Sequence, residues 1–261
     1  MDRWLNQIIQ GDCLEVMKEL PDKSVDMILC DLPYGTTACK WDAIIPFDEL
    51  WEQYERIIES DGAIVLTGIE PFSSLLRVSN LNLYKYDWVW KKSVAGNFVN
   101  AKNAPLKKHE NVLVFSKGTI ANRSKKRMRY FPQGLIKVDR VHKRPKIYLS
   151  EGHDGGCLRK SRKTERIIEF TNYPTTILDF PLGNNKTIHP TQKPVPLFEY
   201  LIKTYTQPGE IVLDNCIGSG TTAVAALNTG RFFIGIEKEP KYCEIARKRL
   251  EQAQAQQSLF A

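Results

Sequence analysis

The sequence of 261 residues has no apolar run long enough to cross a bilayer, which excludes a helical membrane span as its organising feature. Its opening stretch, MDRWLNQIIQGD, lacks the basic-then-apolar layout of a secretory leader. None of its six cysteines, at 13, 30, 39, 157, 216 and 243, forms a C-x-x-C pair. Together these absences predict reduced thiols in a cytoplasmic protein rather than a disulfide frame. Histidine is scarce, with four in all. His153 and Cys157 lie four apart in a glycine-rich stretch, but two further ligands at suitable spacing are missing. They are read as loop residues, and no metal is expected. There is no internal repeat.

The middle of the chain is short of acid. Residues 117–166 contain 16 Lys and Arg against only Asp139, Glu151, Asp154 and Glu165. That stretch carries +12, while the whole chain carries +7, so the remainder is mildly acidic. A basic block on an acidic body predicts contact with a polyanion; a solvated insertion is the plainer alternative.

Around this block the pattern is strand then helix. Asp12 is placed to cap a short helix, with Glu15 completing a capping box. Val25 to Cys30 reads as a buried strand. Phe47, Leu50, Trp51, Tyr54 and Ile57 or Ile58 repeat at helical spacing. Asp61-Gly62 turns the chain into a strand from Ala63 to Thr67. Pro71 suits the first turn of another helix. Tyr84, Tyr86, Trp88 and Trp90 alternate as a strand does, and Asn111 to Phe115 reads as another. The basic segment shows no long period. Order resumes with a helix through Leu197, Tyr200, Leu201 and Tyr205, a strand from Ile211 to Leu213, a helix from Thr221 to Asn228 ended by Gly230, a strand from Phe232 to Ile236 and a last helix opened by Pro240. Alternation of this kind predicts an α/β fold with a doubly wound, mostly parallel sheet. Such sheets bind ligands beyond the carboxyl ends of their strands, where Asp31, Asp214 and Glu237 fall.

The stretch Val212-Leu213-Asp214-Asn215-Cys216-Ile217-Gly218-Ser219-Gly220-Thr221-Thr222-Ala223 is strand, glycine loop and helix start. Gly218 and Gly220 let backbone approach a ligand without an intervening Cβ. The free N–H groups of the helix start would face that ligand. Glu237 ends the next strand, where its carboxylate suits two ribose hydroxyls. The site therefore fits an adenosine-bearing cofactor, either a dinucleotide or S-adenosylmethionine.

The other motif, Asp31-Leu32-Pro33-Tyr34-Gly35, follows a buried strand. A carboxylate from Asp31 and a carbonyl from Leu32 can both accept from an exocyclic NH₂ group. They would draw it toward tetrahedral geometry and free its lone pair. Pro33 stiffens the loop, and Tyr34 offers a ring on which a base taken out of a duplex can stack.

Here the chain resembles the amino-methylating DNA methyltransferases, whose catalytic motif is Asp/Asn/Ser-Pro-Pro-Tyr/Phe/Trp. The motif order resembles their β class: catalytic motif first, target recognition in the middle, glycine loop near the C-terminus. Gly11-Asp12-Cys13-Leu14, Trp88-Val89-Trp90-Lys91, His109 to Phe115 and His189-Pro190-Thr191-Gln192-Lys193-Pro194 support the likeness, which covers residues 6–116 and 187–251. The resemblance implies that S-adenosylmethionine is the cofactor. It implies that Asp214, Gly218, Gly220 and Thr222, with Ser219 in the same loop, hold its methionine and ribose parts. Glu237 would bind the ribose, and Asp12, with the Cys13 backbone, the adenine; Asp12 as a helix cap alone is the competing reading. Thr191, Gln192 and Lys193 would reach the methionine carboxylate. Two places depart from the family: Leu32 replaces its first Pro, and Asn215-Cys216 replaces a common Pro-Phe whose ring packs on the cofactor. His109, with Glu110, is read as structural, and His189 as ordering its loop.

The implied activity is site-specific methylation of a flipped base at its exocyclic amine, adenine N6 on the leading Asp, with cytosine N4 as the alternative. Residues 1–116 and 170–261 would form the catalytic domain, and 117–169 the target-recognition segment. Lys125, Lys126, Arg127, Arg129, Arg140, Lys143 and Arg144 would contact phosphates. DNA is the implied partner, with a homodimer and a cognate restriction enzyme as further ones, and no membrane. An NAD-dependent oxidoreductase would use only the glycine loop and Glu237. A non-catalytic DNA-binding protein on a methyltransferase scaffold is a third reading. Methylation of a protein glutamine or an RNA amine is a fourth, although a leading Asn is more usual for glutamine.

Overall fold

A computed structural model describes residues 1–35, 42–143, 165–182 and 192–258. Contacts divide the chain into two compact units, residues 1–131 with 176–261, and residues 132–175. In chain order the elements are β1 (Gln7–Gln10), α1 (Cys13–Lys18), β2 (Val25–Cys30), α2 (Phe47–Ile57), β3 (Ile58–Gly68), α3 (Phe72–Ser79), β4 (Tyr84–Gly96) and β5 (Lys107–Phe115). Then come β6 (Ile136–Lys143), β7 (Glu165–Thr171), β8 (Ile177–Asp179), α4 (Val195–Tyr205), β9 (Ile211–Asp214), α5 (Thr221–Asn228), β10 (Phe232–Glu237) and α6 (Pro240–Ser258). Thr191, Arg144, His153, Cys157 and His189, singled out from the sequence, lie outside the described residues.

The first unit is built on one sheet in the order β1-β10-β9-β2-β3-β5-β4-β8. The five strands from β1 to β3 are mutually parallel, and β5 runs antiparallel to both its neighbours. Parallel strands covered on both faces carry apolar residues at consecutive positions, and β2 does so. Met27 and Leu29 face one core with α4, α5 and α6, while Ile28 and Cys30 face the other with α1, α2 and α3. The expected α/β architecture is present, and it fixes where a ligand can sit. After β2 the chain moves through α2 to β3 on one side; after β9 it moves through α5 to β10 on the other. The winding direction reverses between neighbours β2 and β9, so a crevice opens at their carboxyl ends.

Local chemistry explains the element ends. Asp12 caps α1, its Oδ1 accepting from the Leu14 N–H at 3.0 Å. Glu15 turns to Lys18 instead, at 2.7 Å, one helical turn on. Asp61 and Gly62 do not precede a strand but lie inside β3, at an irregularity where Val25 pairs with Ile58 and Met27 with Ala63. A Cβ on Gly62 would stand 2.7 Å from the Asp26 carbonyl oxygen, so the close approach of β2 needs glycine there.

Residues 117–131 pack within the first unit. Met128 joins its core, and the Phe131 N–H donates to the Thr204 carbonyl at 2.7 Å. The second unit holds an antiparallel pair, β6 and β7, which the charge-rich sequence did not announce. Its register shifts between Lys137 and Arg140, breaking the two-residue period, and Val141 and Ile167 remain exposed.

Candidate active site

The glycine loop leaves β9 at Asp214, a buried carboxylate. Its Oδ2 accepts from the Thr222 hydroxyl and its Oδ1 from the Cys216 N–H at 3.1 Å. Burial pushes its pKa up to about 7. Asp214 and Thr222 therefore hold the two ends of the loop together. Gly218 and Gly220 both have left-handed backbones, φ +50° and +83°. A Cβ on Gly218 would meet nothing closer than 3.9 Å, so that side of the loop is open. On Gly220 it would lie 3.0 Å from Ala246, so the loop is pressed onto α6 there. Ser219 is fastened from behind, its carbonyl accepting from Arg249 at 2.6 Å and its hydroxyl lying 2.9 Å from the same guanidinium.

Glu237, at the end of β10, accepts from the Gly218 N–H and the Glu239 N–H, both at 2.9 Å, one on each carboxylate oxygen. Burial raises its pKa against these backbone donors. The Lys238 N–H also bonds to this carboxylate, whose four lone pairs exceed its three backbone donors, so it can accept further. Asp12 joins from the end of β1, 3.2 Å from the Lys238 ammonium.

Asp31 leaves β2 on the other side of the crevice. Its Oδ1 accepts from the Tyr34 hydroxyl at 2.5 Å and from the Thr67 hydroxyl; its Oδ2 accepts from the Lys193 ammonium at 2.6 Å. The Tyr34 ring packs on Phe72, with centroids 4.9 Å apart. Burial and the Asp31 charge raise the Tyr34 hydroxyl well above the usual phenol range. Lys193 is buried, and its ammonium also lies 3.3 Å from Glu110, which in turn pairs with Lys92. Burial opposes the charge on Lys193, but Asp31, Tyr34 and Glu110 outweigh it and hold its pKa well above the normal lysine value. The Lys193 ammonium thus lies between two carboxylates of the protein. Leu32 buries its side chain in the core under α2, as a side chain standing in for Pro can.

The two carboxylate clusters and the open side of the glycine loop line one cavity of about 630 Å³. Asp31 to Tyr34, Asp12, Cys13, Gln192, Lys193, Asp214, Gly218, Ser219, Thr222 and Glu237 are on its wall. Gly220 is not, because it faces α6. The Oε1 of Gln192 is buried with no hydrogen-bond partner among the described residues. At the family's Pro-Phe position, Asn215 accepts from the Tyr54 hydroxyl at 2.5 Å, and Cys216 reaches the cavity wall. Sequence reasoning missed Thr67 and Tyr54. Thr67 ends a buried strand and Tyr54 lies on the apolar face of α2, so their hydroxyls carried no pattern of their own. Glu110 stood in a quoted motif, but only the fold turns it toward Lys193.

The basic residues separate into two kinds. Lys125, Lys126 and Arg127 in the first unit and Arg140 in the second are exposed, and Lys143 ends β6. Arg129 differs. It lies 2.7 Å from Asp26, 3.0 Å from Asp61 and 2.7 Å from Glu210, so its guanidinium is consumed inside the protein. Among the described residues no helix is long and apolar enough to cross a membrane, and no cluster of His, Cys, Asp or Glu is arranged to hold a metal.

Comparison with known proteins agrees with this geometry. The chain is 29% identical to the type II methyltransferase M.HinfI of Haemophilus influenzae, over 95% of this chain and 69% of that protein. Its fold matches the crystal structure of the M1.HpyAVI–SAM complex with a TM-score of 0.60 at 26% identity, over 94% of this chain and 98% of that one. It also matches the cytosine-N4-specific PvuII DNA methyltransferase with a TM-score of 0.65, over 93% of this chain and 85% of that one, at 16% identity, a likeness of fold. A family profile described as DNA methylase, of the N6/N4 methyltransferase type, matches residues 25–248 and so runs through both walls of the cavity. The chain belongs to this DNA methylase family and is a DNA amino-methyltransferase, of the kind that takes its methyl group from S-adenosylmethionine.

Proposed function

We propose that this enzyme methylates adenine at N6 in a specific DNA sequence, with Asp31 as the group that holds the target amine. The observation that carries the reading is that Asp31 and the loop of Gly218 and Glu237 wall the same cavity. The residues fit the cofactor. The open side of Gly218 accepts close approach, Glu237 keeps acceptor capacity for the ribose, and Asp12 and Cys13 stand beside it for the adenine. The unpartnered oxygen of Gln192 suits the ammonium of the amino-acid end, with Thr191 beside it in sequence. Asp214, Ser219, Gly220 and Thr222 shape the loop that receives it. S-adenosylmethionine, when bound, supplies a methyl already activated on a sulfonium, and the protein adds positioning.

Asp31 has two donors on Oδ1 and one on Oδ2, so Oδ2 keeps the free lone pair. The target NH₂ donates there and to the Leu32 carbonyl, while Pro33 limits the loop and the Tyr34 ring meets the base. Lys193, anchored by Glu110, holds the Asp31 carboxylate in place. Asp31, holding the amine, can also accept the proton it sheds. An oxidoreductase would leave this cluster without a task.

Residues 1–116 and 170–261 form the catalytic part of the proposal, and 117–169 the target-recognition segment. Lys125, Lys126, Arg127, Arg140, Lys143 and Arg144 contact phosphates there, and Arg129 is set aside for structure. A cognate restriction enzyme is supported by the type II designation of M.HinfI; a second copy and a cytoplasmic location complete the reading. The test is transfer of tritiated methyl to unmethylated DNA, followed by mass spectrometry of the digested bases. Wild type should yield N6-methyladenine, and Asp31→Ala should lose at least about 100-fold in rate. N4-methylcytosine as product, or undiminished transfer by the variant, would overturn the assignment.

A further inference from the structure

Between β4 and β5 the chain reverses through a turn that stands on the rim of the cavity. Gly96, Asn97 and Lys107 line the same cavity as Asp31 and Tyr34. Beyond the rim, Asn97 takes a left-handed backbone, φ +70°, and Phe98–Asn100 form a 3-10 helix. The tip is bonded to itself. The Asn100 N–H donates to the Asn97 carbonyl at 3.1 Å and the Ala101 N–H to the Phe98 carbonyl at 3.1 Å. The Ala104 N–H donates to the Asn100 carbonyl at 3.0 Å, and the Asn100 side-chain amide to the Asn97 side-chain oxygen at 2.8 Å. On this self-supported turn Val99 is 96% exposed and Phe98 63% exposed. Lys102 and Lys108 are exposed beside it, with no ion pair among the described residues.

Single exposed apolar residues are ordinary on a surface. Two in succession, on a turn ordered by its own hydrogen bonds, at the mouth of the cavity that receives the base, flanked by free cations, are a different matter. A base entering this cavity leaves a gap in the duplex stack, and that gap faces the mouth. Apolar side chains that enter a stack offset lost base–base contact, and lysines beside them meet the phosphates of the same step.

We infer that Phe98 and Val99 form the wedge that enters the DNA stack as the target base leaves it. The inference rests on the DNA-methylation reading above. Its test begins by reading the recognition sequence from plasmid DNA methylated by the wild type, using modification-sensitive sequencing. Two duplexes carrying that sequence are then compared, one with the target base paired and one with it opposite an abasic site. A Phe98→Ala/Val99→Ala variant should lose about 10- to 100-fold in rate on the paired duplex but stay within about threefold of wild type on the other, where extrusion is already cheap. With 2-aminopurine at the target position of the paired duplex, the fluorescence rise on binding should also fall. Equal loss on both duplexes, no loss on either, or an undiminished fluorescence rise overturns the wedge. Equal loss together with conversion of a dimer to a monomer in sedimentation would assign the turn to a second copy. Asp31→Ala should lose activity on both duplexes, which separates the two ideas. A wild type inactive on all DNA would sink the methylation reading and the wedge with it.

Discussion

At the scale of single residues, the same side-chain chemistry takes opposite roles in the two walls of the cavity. Asp31 is ringed by three donors, one of them a cation, whereas Asp214 has only neutral donors, the Thr222 hydroxyl, the Cys216 N–H and the Cys30 thiol, and is driven toward its neutral form by burial. The consequence for stability has a definite sign. Unfolded Asp214 titrates near the ordinary aspartate value of 3.8, but in the fold burial lifts it to about 7. Between these limits the native state holds the extra proton, so its contribution is complete below pH 4 and is lost as pH rises toward 7. The unfolding free energy of the wild type relative to Asp214→Asn should fall by a few kcal/mol from pH 4 to pH 7 and level off above. Chemical denaturation across that range checks this; a flat difference, or one that rises with pH, would contradict it.

At the scale of elements, the strand–loop–helix unit of β9 and α5 explains why its two glycines are not equivalent. Gly218 is open toward the cavity, whereas Gly220 is closed against Ala246. Gly220→Ala combines a left-handed backbone with a contact at 3.0 Å to Ala246 Cβ and 3.1 Å to its Cα. It should cost about 1–3 kcal/mol in stability and weaken cofactor binding by displacing the loop. Thermal unfolding and calorimetric titration with S-adenosylmethionine measure the two effects. A variant as stable as wild type would show that α6 yields without cost. The elements legible beforehand were those with a clean period, such as α2 and β2. Strand β6 was not, because its Asp139 has a left-handed backbone, φ +43°, and the register shift sends Val138 and Val141 out of alternation.

At the scale of the whole molecule, charge sorts into structure and surface in a way that composition cannot show. Arg129 belongs by sequence to the basic block but closes a group of three carboxylates, and Lys126, three residues away, is exposed. Arg129→Gln should lower stability by about 2–3 kcal/mol by stranding those carboxylates, with no change in the salt dependence of DNA affinity. Lys126→Ala should leave stability within about 0.5 kcal/mol and reduce the slope of log affinity against log salt by about one. Melting curves and DNA titrations at several salt concentrations distinguish them; a reduced slope in the Arg129 variant would return that residue to the interface.

The sequence by itself determined the α/β alternation, the strand ends that carry Asp31, Asp214 and Glu237, and the glycine loop. These depend on contacts between near neighbours in the chain: an apolar period, a cap, a turn that requires glycine. Only the tertiary structure decided that Lys193 lies between Asp31 and Glu110, that Thr67 donates to Asp31, and that Arg129 is paired with three carboxylates. Each of those joins residues tens of positions apart, and the partner of a charge is set by which strands lie side by side. No local pattern of hydropathy or spacing records that choice, because any buried cation finds its lowest energy at whichever carboxylate the sheet order brings within reach.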